Sequence, residues 1–542
     1  MTFIPSVQSN IDSNNSTTNN TGTTYTGSSS RTTGYNQISI SITSTLNSSA
    51  GGLEIQFSSD NSNWTTYFKD TYFTNTSFVK TYNILNTYYR IKYATDSSTF
   101  TITTRLSTDV SPEQSNVNSI YSLPQDGIYD AFGKLRVSEP YTLLDIKFPS
   151  ASTGTHEYLS NSMLMCNDFS GSGTGTYELS KCTMSANGAT GNFISQSRKY
   201  CIYQPGKSLL ILNSGIIGST GITSTNYSNR IGYFDDENGL FFENSSTSGV
   251  AGTMNVVLRN KSPSGVTGTY YPQTNWNIDK LDGSGNSGIN LDFTKSQLFA
   301  IDFEWLSVGR IRFGFYIYGK LFYCHQITNV NTLENPYMLT PNLPIRYEVS
   351  NNQASGNVSL TQICSCVITE GGYNPVGRPF SANNGVTGKS ITTNDEYPLL
   401  AIRGSTGSNT YKHQNVVPTN LNILDNNKDN LLYNVRLYLA PNTPSDITGS
   451  WVSVNNNSLI DYNVYSVGGT LTNPDASINI SSGYIAGNSN LAFGSLNDIF
   501  TNLTQITSSI NNESDILLIT GKRIDSAKTL KILCSLDWTE SD

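Results

Sequence analysis

The chain has 542 residues, 13% charged and 36% hydrophobic, with a formal charge of −8 and a pI of about 5.1. That length exceeds one ordinary core and implies about two to four domains. The acidic balance, with no Lys/Arg run long enough to follow a phosphate backbone, argues against nucleic-acid binding, and no run of about 18 apolar residues is present to span a bilayer.

Asn, Ser, Thr, Gly and Tyr dominate, which favours short strands and turns over helical bundles. The 32 Tyr and 22 Phe exceed what a disordered chain carries. The expected fold class is all-β: several antiparallel sandwich or jelly-roll-like domains, a polar N-terminal arm and at most one or two short helices. The opening MTFIPSVQSN lacks the basic and apolar regions of a secretory signal, so a product made in the cell interior is expected.

Residues 1–35 are a Ser/Thr/Asn tract with little to bury and read as a flexible arm, of the kind that orders by adding a strand to a neighbour's sheet. Residues 36–115 read as a small β-sandwich. QISISITSTL, LEIQFSSD, TYYRIKYAT and STFTITTRLST alternate with period two, so Leu53, Ile55 and Phe57 share a face, as do Ile91 with Tyr93, and Phe100 with Ile102 and Thr104. Residues 116–370 read as a central β domain. Asn238-Gly239 is a tight-turn dipeptide between the strand ending at Phe234 and the one beginning at Leu240, and Tyr318-Gly319-Lys320 turns RFGFYI back into LFYCHQI. Residues 371–542 read as a C-terminal, mainly β domain with a helix near 495–510, where Leu496, Phe500, Leu503 and Ile510 recur at helical spacing behind a Ser495/Asp498 cap.

The chemical inventory is thin. Asp302 and Glu304 lie two apart on one strand, as an acid/base pair would, but Arg310 and Arg312 on the next strand give them ion-pair partners, which is the expected role. His156, His325 and His413 show no metal-binding spacing, and Cys324 with His325 point to opposite faces of a strand. The other cysteines, at 166, 182, 201, 364, 366 and 534, lack CxxC spacing and read as free thiols. Two acidic loops, Asp235-Asp236-Glu237-Asn238 and the set Asp279, Asp282, Asn286, Asn290 and Asp292, lack the EF-hand pattern and read as polar turns. No catalytic, cofactor-binding or metal-binding residue is assigned.

DAFGKLRVSEPYTLLDIKF, RKYCIYQPGKSLLIL, RIGYFDDENGLFFE, NWNIDKLDGSG, AIDFEWLSVGRIRFGFYIYGKLFYCHQITN and YMLTPNLPIRYEV, in that order from residue 130 to 349, resemble a family of virion structural proteins of tailed phages and large DNA viruses. Ser307 departs from that pattern, where a glycine is expected. The resemblance implies a virion location and a non-enzymatic minor capsid, spike, fibre or tail-associated component that oligomerises and docks on other virion proteins; it brings no catalytic residues. A receptor- or carbohydrate-binding adhesin, with a host surface glycan as partner, is the alternative. A glycan depolymerase built on Glu304 is the third.

Overall fold

The computed structural model describes residues 12–16, 24–33, 35–74, 78–95, 99–107, 139–148, 164–218, 221–247, 252–374, 376–405, 413, 415–440, 450–465, 469–471, 474–487, 506–524 and 528–541. The fold is all-β and antiparallel, in sandwiches. Helical structure among the described residues is limited to 3-10 turns, at Gln273–Asn275, Pro474–Ala476 and His413. Residues 495–505 of the expected helix lie outside the described residues. Its last stretch is not helical: Ser508 forms a β-bridge with Ser514 and Asp515 donates its N–H to the Thr507 carbonyl, so tertiary pairing overrides the local 3.6-residue spacing. The chain divides into two compact units, residues 1–124 with 283–290, and 125–282 with 291–542.

The first unit holds β1 (Asp12–Ser16), β2 (Tyr25–Thr26), β3 (Ser30–Arg31), β4 (Gln37–Ser44), β5 (Ser48–Ser58), β6 (Thr65–Asp70), β7 (Phe78–Asn83), β8 (Tyr88–Thr95) and β9 (Phe100–Ser107). One sheet runs β1-β9-β4-β7, the other β2-β8-β5-β6 with β3 also on β8. Thus the polar tract supplies three short strands at the edges of this sandwich. The alternating residues named above meet inside it: Ile38, Ile40, Leu53, Ile55, Phe57, Ile91, Tyr93, Phe100 and Ile102 are buried together. In β5 the register slips between Ser48 and Leu53 around Gly51, at φ +64°, and Gly52, where a Cβ would meet the Ala94 carbonyl at 2.6 Å.

In the second unit the central body contains β10 (Tyr141–Lys147), β11 (Met165–Glu178), β12 (Lys181–Ser197), β13 (Leu209–Ile216), β14 (Tyr227–Phe234), β15 (Gly239–Ser246), β16 (Thr253–Ser262), β17 (Gly265–Pro272), β18 (Gln297–Phe303), β19 (Ile311–Ile317), β20 (Lys320–Ile327), β21 (Ile345–Asn351) and β22 (Asn357–Thr369). These make one 13-stranded sheet, β17-β16-β15-β14-β21-β12-β22-β13-β18-β19-β20, with β10 on β22 and β11 on β12. β12 is the fold line. Its Cys182–Asn187 half pairs with β22 and its Gly191–Gln196 half with β21, the two separated by Gly188 at φ +74°. The sheet thereby turns back on itself, and Phe242 of β15 packs against Phe299, Phe313 and Phe315 of the facing layer with ring centroids 5.1–5.4 Å apart.

The C-terminal sandwich contains β23 (Arg378–Asn383), β24 (Lys389–Ile391), β25 (Tyr397–Gly404), β26 (Asn415–Asp425), β27 (Leu431–Tyr438), β28 (Val452–Ser453), β29 (Ile460–Val464), β30 (Ile478–Ile485), β31 (Ile516–Arg523) and β32 (Leu530–Ser541). β32 pairs with β23 and β24 on one side and β26 on the other, facing a six-stranded sheet β28-β29-β25-β31-β27-β30. Trp538, Leu536, Leu399, Ile402, Val435 and Ile519 fill the space between.

Candidate functional site

Asp302 stands opposite Arg312 in the β18/β19 register, on the face turned away from the Phe299, Ile301 and Phe303 stripe. Arg312 Nη2 donates to Asp302 Oδ2 at 2.5 Å, the Tyr323 hydroxyl donates to the same oxygen at 2.5 Å, and the guanidinium lies 4.3 Å from the Tyr323 ring centroid. Asp302 and Arg312 are both completely buried. Glu304 is the first residue past β18. Its Oε1 accepts the Arg310 N–H at 3.0 Å, closing the turn to β19, and burial raises its pKa against that bond and the Arg310 charge. Gly309 is needed there, because a Cβ would meet Glu304 Cγ at 2.5 Å. Acid/base chemistry on a glycosidic bond needs two carboxyls facing one open space. Here Asp302 is sealed by its partners and Glu304 serves the turn.

Leu306 and Ser307 adopt φ of +35° and +65°, the left-handed region that favours glycine.

A second constellation escaped the sequence reading. On the outer face of the β16-β15-β14-β21 layer, Arg230 pairs with Glu243 at 2.7 Å and Glu348 at 2.5 Å, and Arg346 pairs with Glu348 at 2.9 Å and Asp236 at 2.8 Å. Arg259 donates to the Asp235 carbonyl at 2.6 Å and lies over Phe234 and Phe241, with centroid distances of 5.4 and 4.9 Å. Burial pushes the Glu348 carboxyl up, but Arg346, Arg230 and Arg259 more than reverse this and hold it below the usual carboxylate value. The Asn238-Gly239 turn contained the signal: it sets Phe234 opposite Gly239, and counting back along both strands sets Arg230 opposite Glu243.

The remaining sequence candidates are scattered. His156 lies outside the described residues. His325 Nδ1 accepts the Asn277 N–H at 3.3 Å, its ring packs 4.5 Å from Tyr271, and burial lowers its pKa to about 4, so the imidazole is neutral. Cys324 is the extra residue of a β-bulge, its thiol donates to the Phe313 carbonyl, and burial raises its pKa well above the ordinary value. His413 Nδ1 lies 3.0 Å from the Asn342 carbonyl, and Tyr200 meets its ring edge-on. In the first acidic loop Asp235 accepts the N–H groups of Glu237 and Asn238 at 2.8 Å, Asp236 holds Arg346 and Glu237 holds Lys261. In the second, Asp279 accepts the Leu281 N–H and Asp292 the Thr294 N–H and hydroxyl. Asn286 and Asn290 fall in the segment grouped with the first unit.

The joint between the central body and the C-terminal sandwich is also ionic. Arg198, at the end of β12, places Nη1 3.2 Å from Asp515 Oδ1 and Nη2 2.9 Å from the Ala440 carbonyl. Asp515 also accepts the N–H of Ala440 at 2.9 Å and both the N–H and hydroxyl of Thr507. Neither charged side chain touches solvent. Elsewhere on the C-terminal sandwich a groove of about 510 Å³ is lined by Asn383, Asn422, Ser535, Val386, Leu424 and Leu533, among others.

No known family's sequence profile matches this chain, and no curated protein matches it. Among solved structures, an endo-1,3-β-glucanase from Streptomyces sioyaensis aligns at 12% identity and TM-score 0.27, over 43% of this chain and 97% of its own. A legume lectin-like domain from Entamoeba histolytica aligns at 10% and 0.24, over 41% and 95%. The receptor-binding domain of a botulinum neurotoxin mosaic serotype C/D aligns at 9% and 0.25, over 72% and 96%. Similarity this low carries no information about ligands or site residues.

Proposed function

We propose that the chain is a non-catalytic structural component of a virion that docks on other virion proteins. The sequence segments between residues 130 and 349, by their wording and succession, support the virion part of this reading through their resemblance to virion structural proteins. The observation that carries the structural part is the Arg198–Asp515 joint, which fastens two β-sandwiches through a solvent-free ion pair and makes them a stiff building element. The buried charges are spent on protein partners, as in Arg312–Asp302–Tyr323 and Arg230–Glu348–Arg346. Mass spectrometry of purified particles is expected to find the chain at constant stoichiometry. Its absence from particles, with free protein abundant in infected lysate, overturns the proposal.

A second reading, an adhesin for host surface glycans, is favoured by the amide-lined groove of the C-terminal sandwich, where Asn383, Asn422 and Ser535 suit hydroxyl groups and Val386 and Leu424 suit the apolar face of a sugar. Glycan-array binding by the full chain, lost on Asn422→Leu, supports it. A blank array overturns it.

A further inference from the structure

Two edges of the central sheet, β20 and β17, are finished differently. At β20 the edge is covered by the chain that follows β17: Ile278 and Asp279 both donate to the Cys324 carbonyl at 3.1 Å, and Asn277 bonds both the N–H and the carbonyl of Gln326. At the other edge lies β17, where Gly265 through Tyr270 are exposed. The β16/β17 hairpin closes on the Ser262/Gly265 pair, so hydrogen-bonded pairs with β16 fall at Gly265, Thr267, Thr269 and Tyr271. Pro272, which has no N–H, sits at a non-bonded position, consistent with that alternation. Val266, Gly268 and Tyr270 therefore direct their N–H and C=O groups outward, and among the described residues none of these groups has a hydrogen-bond partner.

Exposed edges are normally blunted by charge, a bulge, proline or a covering segment. From Ser262 to Gln273 the sequence SPSGVTGTYYPQ holds no charged residue, and the β16/β17 register runs without a bulge. Val266 and Tyr270 lie on one face of the strand and are 48% and 50% exposed. The Tyr270 ring lies against Gly268, where a Cβ would meet it at 2.9 Å.

We propose that β17 is a self-association edge, pairing antiparallel with β17 of a second copy about a two-fold axis at Gly268 and joining two 13-stranded sheets. This is the register that pairs all the outward backbone groups of Val266, Gly268 and Tyr270. It sets Val266 against Tyr270 of the second copy twice over, a β-branched/aromatic pair of the kind that stabilises antiparallel strands, and sets Gly268 against its own equivalent under the two rings. Each copy carries a formal charge of −8, and this uncharged strand lets two copies meet without opposing like charges. An edge of this length buries less than the roughly 1,000 Å² of a stable interface, so the pairing is weak in dilute solution and strengthens where copies are held close together.

Sedimentation velocity on the full chain, from about 1 to 200 µM, tests this. A monomer–dimer equilibrium is expected, weakened at least ten-fold by Val266→Lys with Tyr270→Lys and regained by Val266→Lys with Tyr270→Glu, in which each lysine faces a glutamate of the second copy. Both positions are exposed, so unchanged melting curves certify the fold. A monomer at every concentration overturns the proposal. So does a dimer indifferent to the double lysine variant, or one lost instead on deleting residues 1–35. The expectation holds whether or not the chain is a virion component, so its failure and that of the virion reading are separable.

Discussion

Among the described residues of the N-terminal sandwich, ion pairs lie at the surface: Lys69 with Glu54, and Lys80 with Asp70, each lysine at least half exposed. Its core is aliphatic and aromatic, and among the described residues its buried polar groups are neutral ones such as Thr104, whose hydroxyl meets that of Tyr89 at 2.8 Å. The second unit takes Arg198, Asp515, Arg312, Asp302, Arg346 and Glu348 out of water. A β-sandwich thus needs no buried charge to close. Where the second unit buries charge, the pairs connect things: two sandwiches at Arg198, three strands at Asp302, and two neighbouring strands and a turn at Glu348 and Arg346. Buried pairs are poor sources of net stability but costly to break, so they fix which arrangement forms.

Breaking the joint should give the largest effect. Asp515→Ala takes its carboxylate partner from the fully buried Arg198 guanidinium, and a loss of about 3–5 kcal/mol is expected in chemical denaturation. The C-terminal sandwich should then melt separately from the central body. Replacing both partners, with Arg198→Met and Asp515→Leu, should cost less than Asp515→Ala. If all three proteins unfold in one unchanged transition, the joint is not what fastens the sandwiches.

Acid acting on the charged cluster of the second unit comes next. The Glu348 carboxyl sits below its ordinary value of 4.5 in the folded chain because three guanidinium groups outweigh its burial. A carboxyl depressed by folding contributes stability that is complete above its unfolded pKa and disappears as pH falls through the folded one. Melting temperature should therefore fall on acidification below about pH 4.5. Glu348→Gln should be less stable than wild type at pH 7 and flatter below pH 4.5; an equal slope in both proteins would show that other carboxyls set it.

Removing a single bond to a buried charge comes third. Tyr323→Phe deletes one of the donors to Asp302 Oδ2 while keeping the ring under Arg312, and about 1.5–3 kcal/mol should be lost. Lys69→Ala in the N-terminal sandwich should change stability by less than about 1 kcal/mol, since the lysine is 60% exposed. A larger loss there would erase the contrast between the regions.

What the sequence revealed followed from local periodicity. Alternation placed Leu53, Ile55 and Phe57 in one core, and the turn dipeptides at Asn238-Gly239 and Tyr318-Gly319 marked two hairpins; Tyr318 indeed takes φ +51° and Gly319 +75°. The Arg312–Asp302 pair was readable because adjacent hairpin strands place residues at a countable register. Glu348 and Arg346 were not, since β21 reaches β14 only after a chain excursion of more than a hundred residues whose register no local pattern fixes. Arg198 and Asp515 were invisible for the same reason. The three strands of the polar tract carry almost no apolar residues, so their pairing is a backbone property that composition does not show.

Arg198 and Asp515 stand 317 residues apart. At the roughly 5–20 residues per second of synthesis, the arginine leaves the ribosome about 15 to 65 s before the aspartate exists. Throughout that interval the central body can close its own sheet, while the surface that later receives the C-terminal sandwich carries a cation whose aspartate is not yet made. Burial of that charge is consequently a late event of maturation, and a chain truncated before Asp515 would display a positively charged scar where the finished protein has a seam.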